Sequence, residues 1–350
     1  MAESAGRGAE MRLCVGTSKG IVILDPARGR VPLMVVAEPC SVWCMAQDCE
    51  DPNLLYAGSV HDAHMGNARS RGALARSTDG GRIWSDITPG MARDEDVWAI
   101  ATPSDRPGEV FIGTSHARIM KSEQGGQNFR ECTAFLKLAG RDRWTFPPPP
   151  HIPHVRSITF DPRNSSTFYV GVEEGGVFRS RDGGETFEPL NHGIYSDIHS
   201  IEIDAEDPNR VYATTGRGFY YSESAGGSWQ HVNGLNRSYT VPLLVQPGAI
   251  YAAAAAGQPP TWSMGSVGAD ALMFRSHDSG RSFQPLTLTE GGASPMRAMV
   301  MRLRPDPAGG DGDFFALFTD GSIVRMNEHG ENLQLIADGL PPVYDLVTLP

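Results

Sequence analysis

The side chains of this 350-residue chain that could do chemistry are histidines and carboxylates gathered at intervals along it. His61-x-x-His64 encloses Asp62, and His116 stands in the short segment SHA. His151 and His154 close the run RDRWTFPPPPHIPHV over Arg141–Val155. Glu173 and Glu174 follow TFYVGV, and NHGIYSDIH carries His192, Tyr195, Asp197 and His199. Neutral imidazole is the commonest transition-metal ligand, and a carboxylate can complete its shell. His61, His64, His116, His154 and His199 are therefore candidate ligands of a transition metal, the one cofactor these residues suggest. There is no HExxH, so no linear motif requires a metal. His154, His199, Asp197 and Glu173 are equally candidates for general acid–base work without one. The alternative to both is a set of capping histidines with ordinary hydrogen bonds.

The elements that must position these groups are read from a repeat. RSTDGGRIW (Arg76–Trp84), KSEQGGQNF (Lys121–Phe129), RSRDGGETF (Arg179–Phe187), YSESAGGSW (Tyr221–Trp229) and RSHDSGRSF (Arg275–Phe283) share one pattern, with a decayed copy at Arg325–Leu333. The serines are 45, 58, 42 and 54 residues apart, a spacing that suits four short strands per unit. Ser-x-Asp-x-Gly is a tight turn: its Asp accepts backbone N–H groups, its Gly takes positive φ, and the aromatic re-enters the sheet. The turn reads as a folding staple between third and fourth strands rather than as a binding loop.

A second column of alternating apolar strands precedes each turn: Val42–Asp48, Val97–Pro103, Val155–Asp161, Ile198–Asp204, Tyr239–Val245, Met296–Arg302 and Val343–Leu349. Each of the first six is followed by a second strand, whereas the seventh such second strand lies at the N-terminus, in Leu13–Leu24. The chain thus begins on a second strand and ends on a first strand. A ring resolves the offset, with 343–349 completing the N-terminal unit and leaving no open edge. The expectation is an all-β seven-bladed β-propeller of four-stranded antiparallel blades. It spans residues 11–350 as one domain behind a disordered tail at 1–10, although length alone would suggest about two domains.

These repeats resemble those of BNR/Asp-box proteins, within the sialidase-like, WD40/YVTN-like propeller superfamily. That group includes sialidases, xyloglucanase-type glycosidases, sortilin-type receptors and photosystem II assembly factors. The resemblance implies the fold and leaves function to grafted loops. A sialidase of this kind carries an Arg-Ile-Pro motif, which this chain lacks, so no catalytic residue is carried over. A glycosidase with paired acids would draw on Asp62, Asp94, Asp96, Glu173 and Asp197. An assembly factor would be an exported, basic docking platform, whereas this chain is acidic.

In a propeller the site-bearing face is made by the segments before the first strands and by the loops between second and third strands. Eight of the ten histidines map there: His61, His64, His116, His151, His154, His192, His199 and His231. The second residues of the first strands are Trp43, Trp98, Arg156, His199, Thr240, Arg297 and Tyr344. Trp43, Trp98, Arg156, Arg297 and Tyr344 would line an axial pocket for a planar or anionic small molecule. The insertion at Ala256–Asp270, with Trp262 and Met264, is long enough to cover it, and Pro147–Pro150 reads as a stiff crossover.

Composition narrows the partners. The net charge of −11 disfavours nucleic acid and anionic membranes. The longest apolar run, Ala249–Ala256, is far short of the ~20 residues of a membrane span. The N-terminal segment has no signal-type apolar stretch, and the five cysteines form no CxxC pair. A cytoplasmic protein with reduced thiols is the expectation. Its partner would be a small molecule at the axial pocket, a second protein on the same scaffold, or a glycoside.

Overall fold

A computed structural model describes residues 11–61, 72–92, 95–262, 267–287, 295–310, 312–330 and 333–350. They form seven four-stranded antiparallel sheets. The innermost strands, starting from blade one, are Val343–Leu349, Val42–Gln47, Val97–Ala101, Val155–Phe160, Ile198–Ile203, Tyr239–Gln246 and Val300–Pro305. Each touches the next around a central axis. The C-terminal strand pairs with Arg12–Thr17 from Arg12↔Leu349 to Thr17↔Val343, so the two ends of the chain close the ring as the strand offset requires. Among the described residues no helix is long and apolar enough to cross a membrane.

The blades wedge together through a repeated contact. Gly16, Gly58, Gly113 and Gly171 lie in second strands, and a Cβ on each would stand 2.4–2.6 Å from a methyl carbon of Val42, Val97, Val155 and Ile198, respectively. The β-branched residue that opens one blade's inner strand therefore fills the glycine notch of the blade before it. On the lower face the turns join neighbouring blades. Arg76 Nη1 donates to Gly125 O (2.6 Å), Lys121 Nζ to Gly183 O (2.5 Å) and Arg179 Nη1 to Ala225 O (2.5 Å), each reaching the next turn. Within the turn of blade four, Asp182 Oδ1 accepts from Glu185 N and Thr186 N, and Gly184 N donates to Ser180 Oγ. Gly184 has φ 93°, which a side chain would strain.

Every inner strand carries one extra residue near its start. The bulged residues are Trp43, Trp98, Arg156, His199, Met301 and Tyr344; in blade six the bulge spans Val241 and Pro242. A bulge turns a side chain out of the ladder, here toward the upper mouth of the axis. Two expectations are corrected. Thr240 is paired, with Ala254, and the bulge comes one residue later because Pro242 has no N–H for the ladder. The inner strand of blade seven begins at Val300, not Met296, so Arg297 is exposed, lies before the strand and is replaced at the bulge by Met301. The alternation Met296, Ala298, Val300 imitates a strand. The true register is set by Asp306, whose Oδ1 accepts from Ala308 N just as Asp48, Asp161 and Asp204 accept turn amides at the ends of their own inner strands.

Candidate functional site

The upper mouth is built from three kinds of position: the bulges, the residues just before the inner strands, and the loops between second and third strands. The bulged aromatics meet one another. Trp43 lies 5.1 Å from Trp98 and 4.8 Å from Tyr344, centroid to centroid. The Arg156 guanidinium sits 4.6 Å from the Trp43 ring centre and 5.6 Å from that of Trp98, distances at which a cation is attracted to a ring face. Four of the five residues expected to line the axial pocket therefore come together, and Arg297 does not. The rings meet edge-on or tilted, and Arg156 lies over the Trp43 ring, the face that a planar ligand would take.

The charged part of the mouth belongs to blades four and five. His154 precedes its inner strand and is buried, with its ring stacked 3.9 Å from Trp98. His154 Nε2 lies 2.9 Å from Glu173 Oε2, and Arg156 Nε is 3.5 Å from the same oxygen. Burial acts to raise the Glu173 carboxyl, but the charge and hydrogen bond of His154, with Arg156 and His199, hold it at about 2. Glu174, next in the loop, is pushed up by burial and by the charges of Asp197 and Glu173.

Asp197 immediately precedes the inner strand of blade five, and His199 is the bulge two residues later. His199 Nδ1 is 2.5 Å from Thr240 O. A carbonyl only accepts, so Nδ1 carries the hydrogen and Nε2 faces Asp197 Oδ1 at 3.4 Å. Both Nε2 and Oδ1 are buried and neither makes a hydrogen bond of ordinary geometry. Two acceptors cannot satisfy each other; a proton or a cation must lie between them. Burial lowers the His199 pKa, but the negative charges of Asp197 and Glu173 outweigh that and raise it. Gly216 makes room for the carboxylate, since a Cβ there would fall 2.1 Å from Asp197 Oδ2. Glu173, Asp197 and His199 each offer a ligand atom, and these atoms lie within 4.8 Å of one another.

The expected histidine set is thus redistributed. His199 belongs to the cluster, and His154 supports it from behind through Glu173. His61 is held elsewhere, its Nδ1 2.7 Å from Asp96 Oδ1. His116 stands 3.9 Å from Glu95, beside Arg118. Asp62, His64 and Asp94 lie outside the described residues. Among the described residues, a histidine and two carboxylates converge. Carboxylates commonly cap turns, so their type alone gave no sign of it, whereas Asp197-x-His199 across a bulge was the available signal. Tyr239 is 4.7 Å from His199, and Trp262, in the insertion, packs 5.8 Å from Tyr239, which brings that loop to the mouth.

No protein-family model matches the chain. It is 24% identical over 271 residues to a xyloglucanase of Paenibacillus sp., covering 68% of this chain and 26% of that protein. It is 24% identical over 294 residues to a xyloglucanase of Hypocrea jecorina, covering 82% and 31%. The chain spans about a fifth to a third of the length of the curated relatives it matches. Among solved structures, the GH74 xyloglucanase from Xanthomonas campestris superposes with a TM-score of 0.68 at 16% identity, covering 95% of this chain and 53% of that one. YCF48 bound to a D1 peptide superposes with a TM-score of 0.57 at 12% identity, covering 95% and 86%. These likenesses show the fold, a seven-bladed β-propeller, and single out no member.

Proposed function

We propose that the upper mouth is a cation-dependent site for a small anionic ligand, with Glu173, Asp197 and His199 as the metal-binding residues. The observation that carries this reading is the pair of buried acceptors, His199 Nε2 and Asp197 Oδ1, at 3.4 Å. The surroundings suit it. A ligating histidine usually gives its other N–H to a carbonyl, as Nδ1 does to Thr240 O here. His154 orients Glu173 in the same supporting way. A divalent ion there would supply Lewis acidity toward an anion or a water. Arg156, beside Glu173, would add positive charge on the same side, and the insertion bearing Trp262 would limit access of water.

The test is metal content by plasma mass spectrometry on protein purified without chelator, then on protein titrated with zinc, manganese and nickel. About one ion per chain is expected, lost in His199→Ala and Asp197→Asn and kept in His61→Ala. A parent protein that neither carries nor takes up any of these ions overturns the reading.

A second reading, glycoside cleavage, is favoured by the carboxylate pair. Ligand oxygens of Glu173 and Asp197 lie within 4.8 Å, near the ~5–5.5 Å separation of retaining enzymes, and the sequence relatives are xyloglucanases. Chelator-insensitive release from aryl glycosides, abolished by Glu173→Gln, would establish this reading over the first.

A further inference from the structure

The connection into blade four is the longest of the seven that lead from one blade's outer strand to the next inner strand. It runs from Arg130–Glu131 to Val155 and holds two short 3-10 helices, Phe135–Lys137 and Arg141–Arg143. Phe135 anchors it: fully buried, its ring meets Phe178 at 5.6 Å and Phe187 at 5.0 Å. Between this connection and the loop that carries Glu174 lies a cavity of about 230 Å³. Trp144 and Phe178, with ring centres 4.9 Å apart and planes inclined at 50°, form its apolar corner. Arg143 and Glu174 supply its charges.

Three glycines let these walls close on the space. A Cβ on Gly140 would stand 2.6 Å from Arg143 Nη2, one on Gly175 3.1 Å from Trp144 Cγ, and one on Gly176 2.3 Å from Asn191 Oδ1. Glu174 takes φ 53°, a left-handed conformation that costs a residue with a side chain about 1–2 kcal/mol. A turn that needs only this backbone takes Gly or Asn; here the position carries a carboxylate to the cavity instead. The two charges are opposite and line one small space, yet among the described residues they form no ion pair with each other or with a third group. The Ser196 hydroxyl lies 3.5 Å from Glu174 Oε2, and the Arg143 guanidinium has no acceptor among the described residues.

We propose that this cavity binds the zwitterion of an α-amino acid with an apolar side chain. The ligand's carboxylate meets Arg143, its ammonium meets Glu174, and its side chain lies in the corner of Trp144 and Phe178. Hydrogen bonds between charged partners are about twice as strong as neutral ones. An anion alone would leave Glu174 unanswered and add to the charges of Glu173 and Asp197, which already bear on it. A cation alone would face Arg143. A neutral polyol would cover both charges and balance neither. The volume lies below that of pockets for drug-sized molecules, which limits the occupant to about the size of one amino acid. None of Glu173, Asp197 and His199 lines the cavity, so the site does not rest on a metal in the upper mouth.

The experiment is calorimetric titration of the full chain with L-leucine and L-phenylalanine. Each is run beside its amide, which lacks the carboxylate, and its N-acetyl derivative, which lacks the ammonium; methyl glucoside serves as the neutral polyol. Saturable binding of the free amino acids is expected, with the capped forms weaker by about tenfold or more. Arg143→Met, at an exposed position, should bind amino acid and amide alike. Glu174→Gln should bind amino acid and N-acetyl derivative alike, so that each charge is tied to its own partner. Ala139→Trp, an exposed residue of the cavity wall, fills the space and should abolish binding, with circular dichroism confirming that the variant is folded. Chelator-treated protein should bind as the untreated protein does. The proposal is overturned if neither free amino acid binds, if a capped form or the glucoside binds as tightly, if binding survives Ala139→Trp, or if it vanishes on chelation.

Discussion

The two faces of the ring use the same backbone positions in opposite ways. On the lower face the turns of blades two, four and five repeat one solution. A serine hydroxyl accepts the amide of the turn glycine, and in blades two and four the arginine just before that serine reaches the next blade. On the upper face the bulge of each inner strand recurs while its occupant changes from Trp to Arg to His to Met to Tyr. Asp96 and Asp197 show the consequence most directly, since both stand immediately before an inner strand. Asp96 is answered by His61, both ring and backbone amide. Asp197 faces the ring nitrogen of His199 with no hydrogen bond between them. Repetition of one hydrogen-bonded turn marks what holds the propeller together, and the departure at Asp197 and His199 marks the proposed site.

This contrast can be broken from its structural side first. Removing Val343–Pro350 should abolish cooperative folding, because blade one loses its inner strand and two edges open; a soluble truncation with a sharp melting transition would refute the closure. Asp345→Ala leaves Arg304 and Arg302 in the ring without their carboxylate and should cost about 3–5 kcal/mol, readable by chemical denaturation. Gly113→Ala sets a Cβ 2.4 Å from Val155 Cγ1 and should cost about 1–3 kcal/mol by overpacking, with metal content unchanged.

The smaller effects sharpen the other side. Asp278 accepts from Ser276 Oγ, Ser282 N and Ser282 Oγ. Burial would raise its pKa, but these hydrogen bonds hold it at about 2. A depressed acid contributes stability above its unfolded pKa of about 3.9 and loses it as pH falls toward 2. Asp278→Ala should therefore lower the melting temperature at pH 7 and narrow its difference from the parent at pH 2. His199 has the opposite sign. Its raised pKa gives a contribution present below about 6.5, the ordinary value, and lost as pH rises through the folded value. An ion at Nε2 competes with that proton. Metal uptake should then strengthen with rising pH in the parent, and a flat uptake profile would count against His199 as a ligand.

Periodicity and turn chemistry made the ring legible before any coordinates. The alternation in Val42–Asp48 and its equivalents marks strands, five Ser-x-x-x-Gly turns mark the corners, and the offset between first and second strands demands closure by 343–349. The bulged ring was legible at Trp43, Trp98, Arg156, His199 and Tyr344 and misread at Arg297, where local alternation is satisfied by two registers and only the turn-capping Asp306 separates them. What only the tertiary structure decided is which groups meet. Glu173 and Asp197 lie on different blades, His61 could turn to Asp96 or to the axis, and Arg302 and Arg304 read in sequence as ordinary polar positions of strands. Strand pattern is a local property fixed by neighbours two residues away. The partner of a charge is fixed by the rotation of one blade on the next, which depends on how a valine fills a glycine notch in the blade before it.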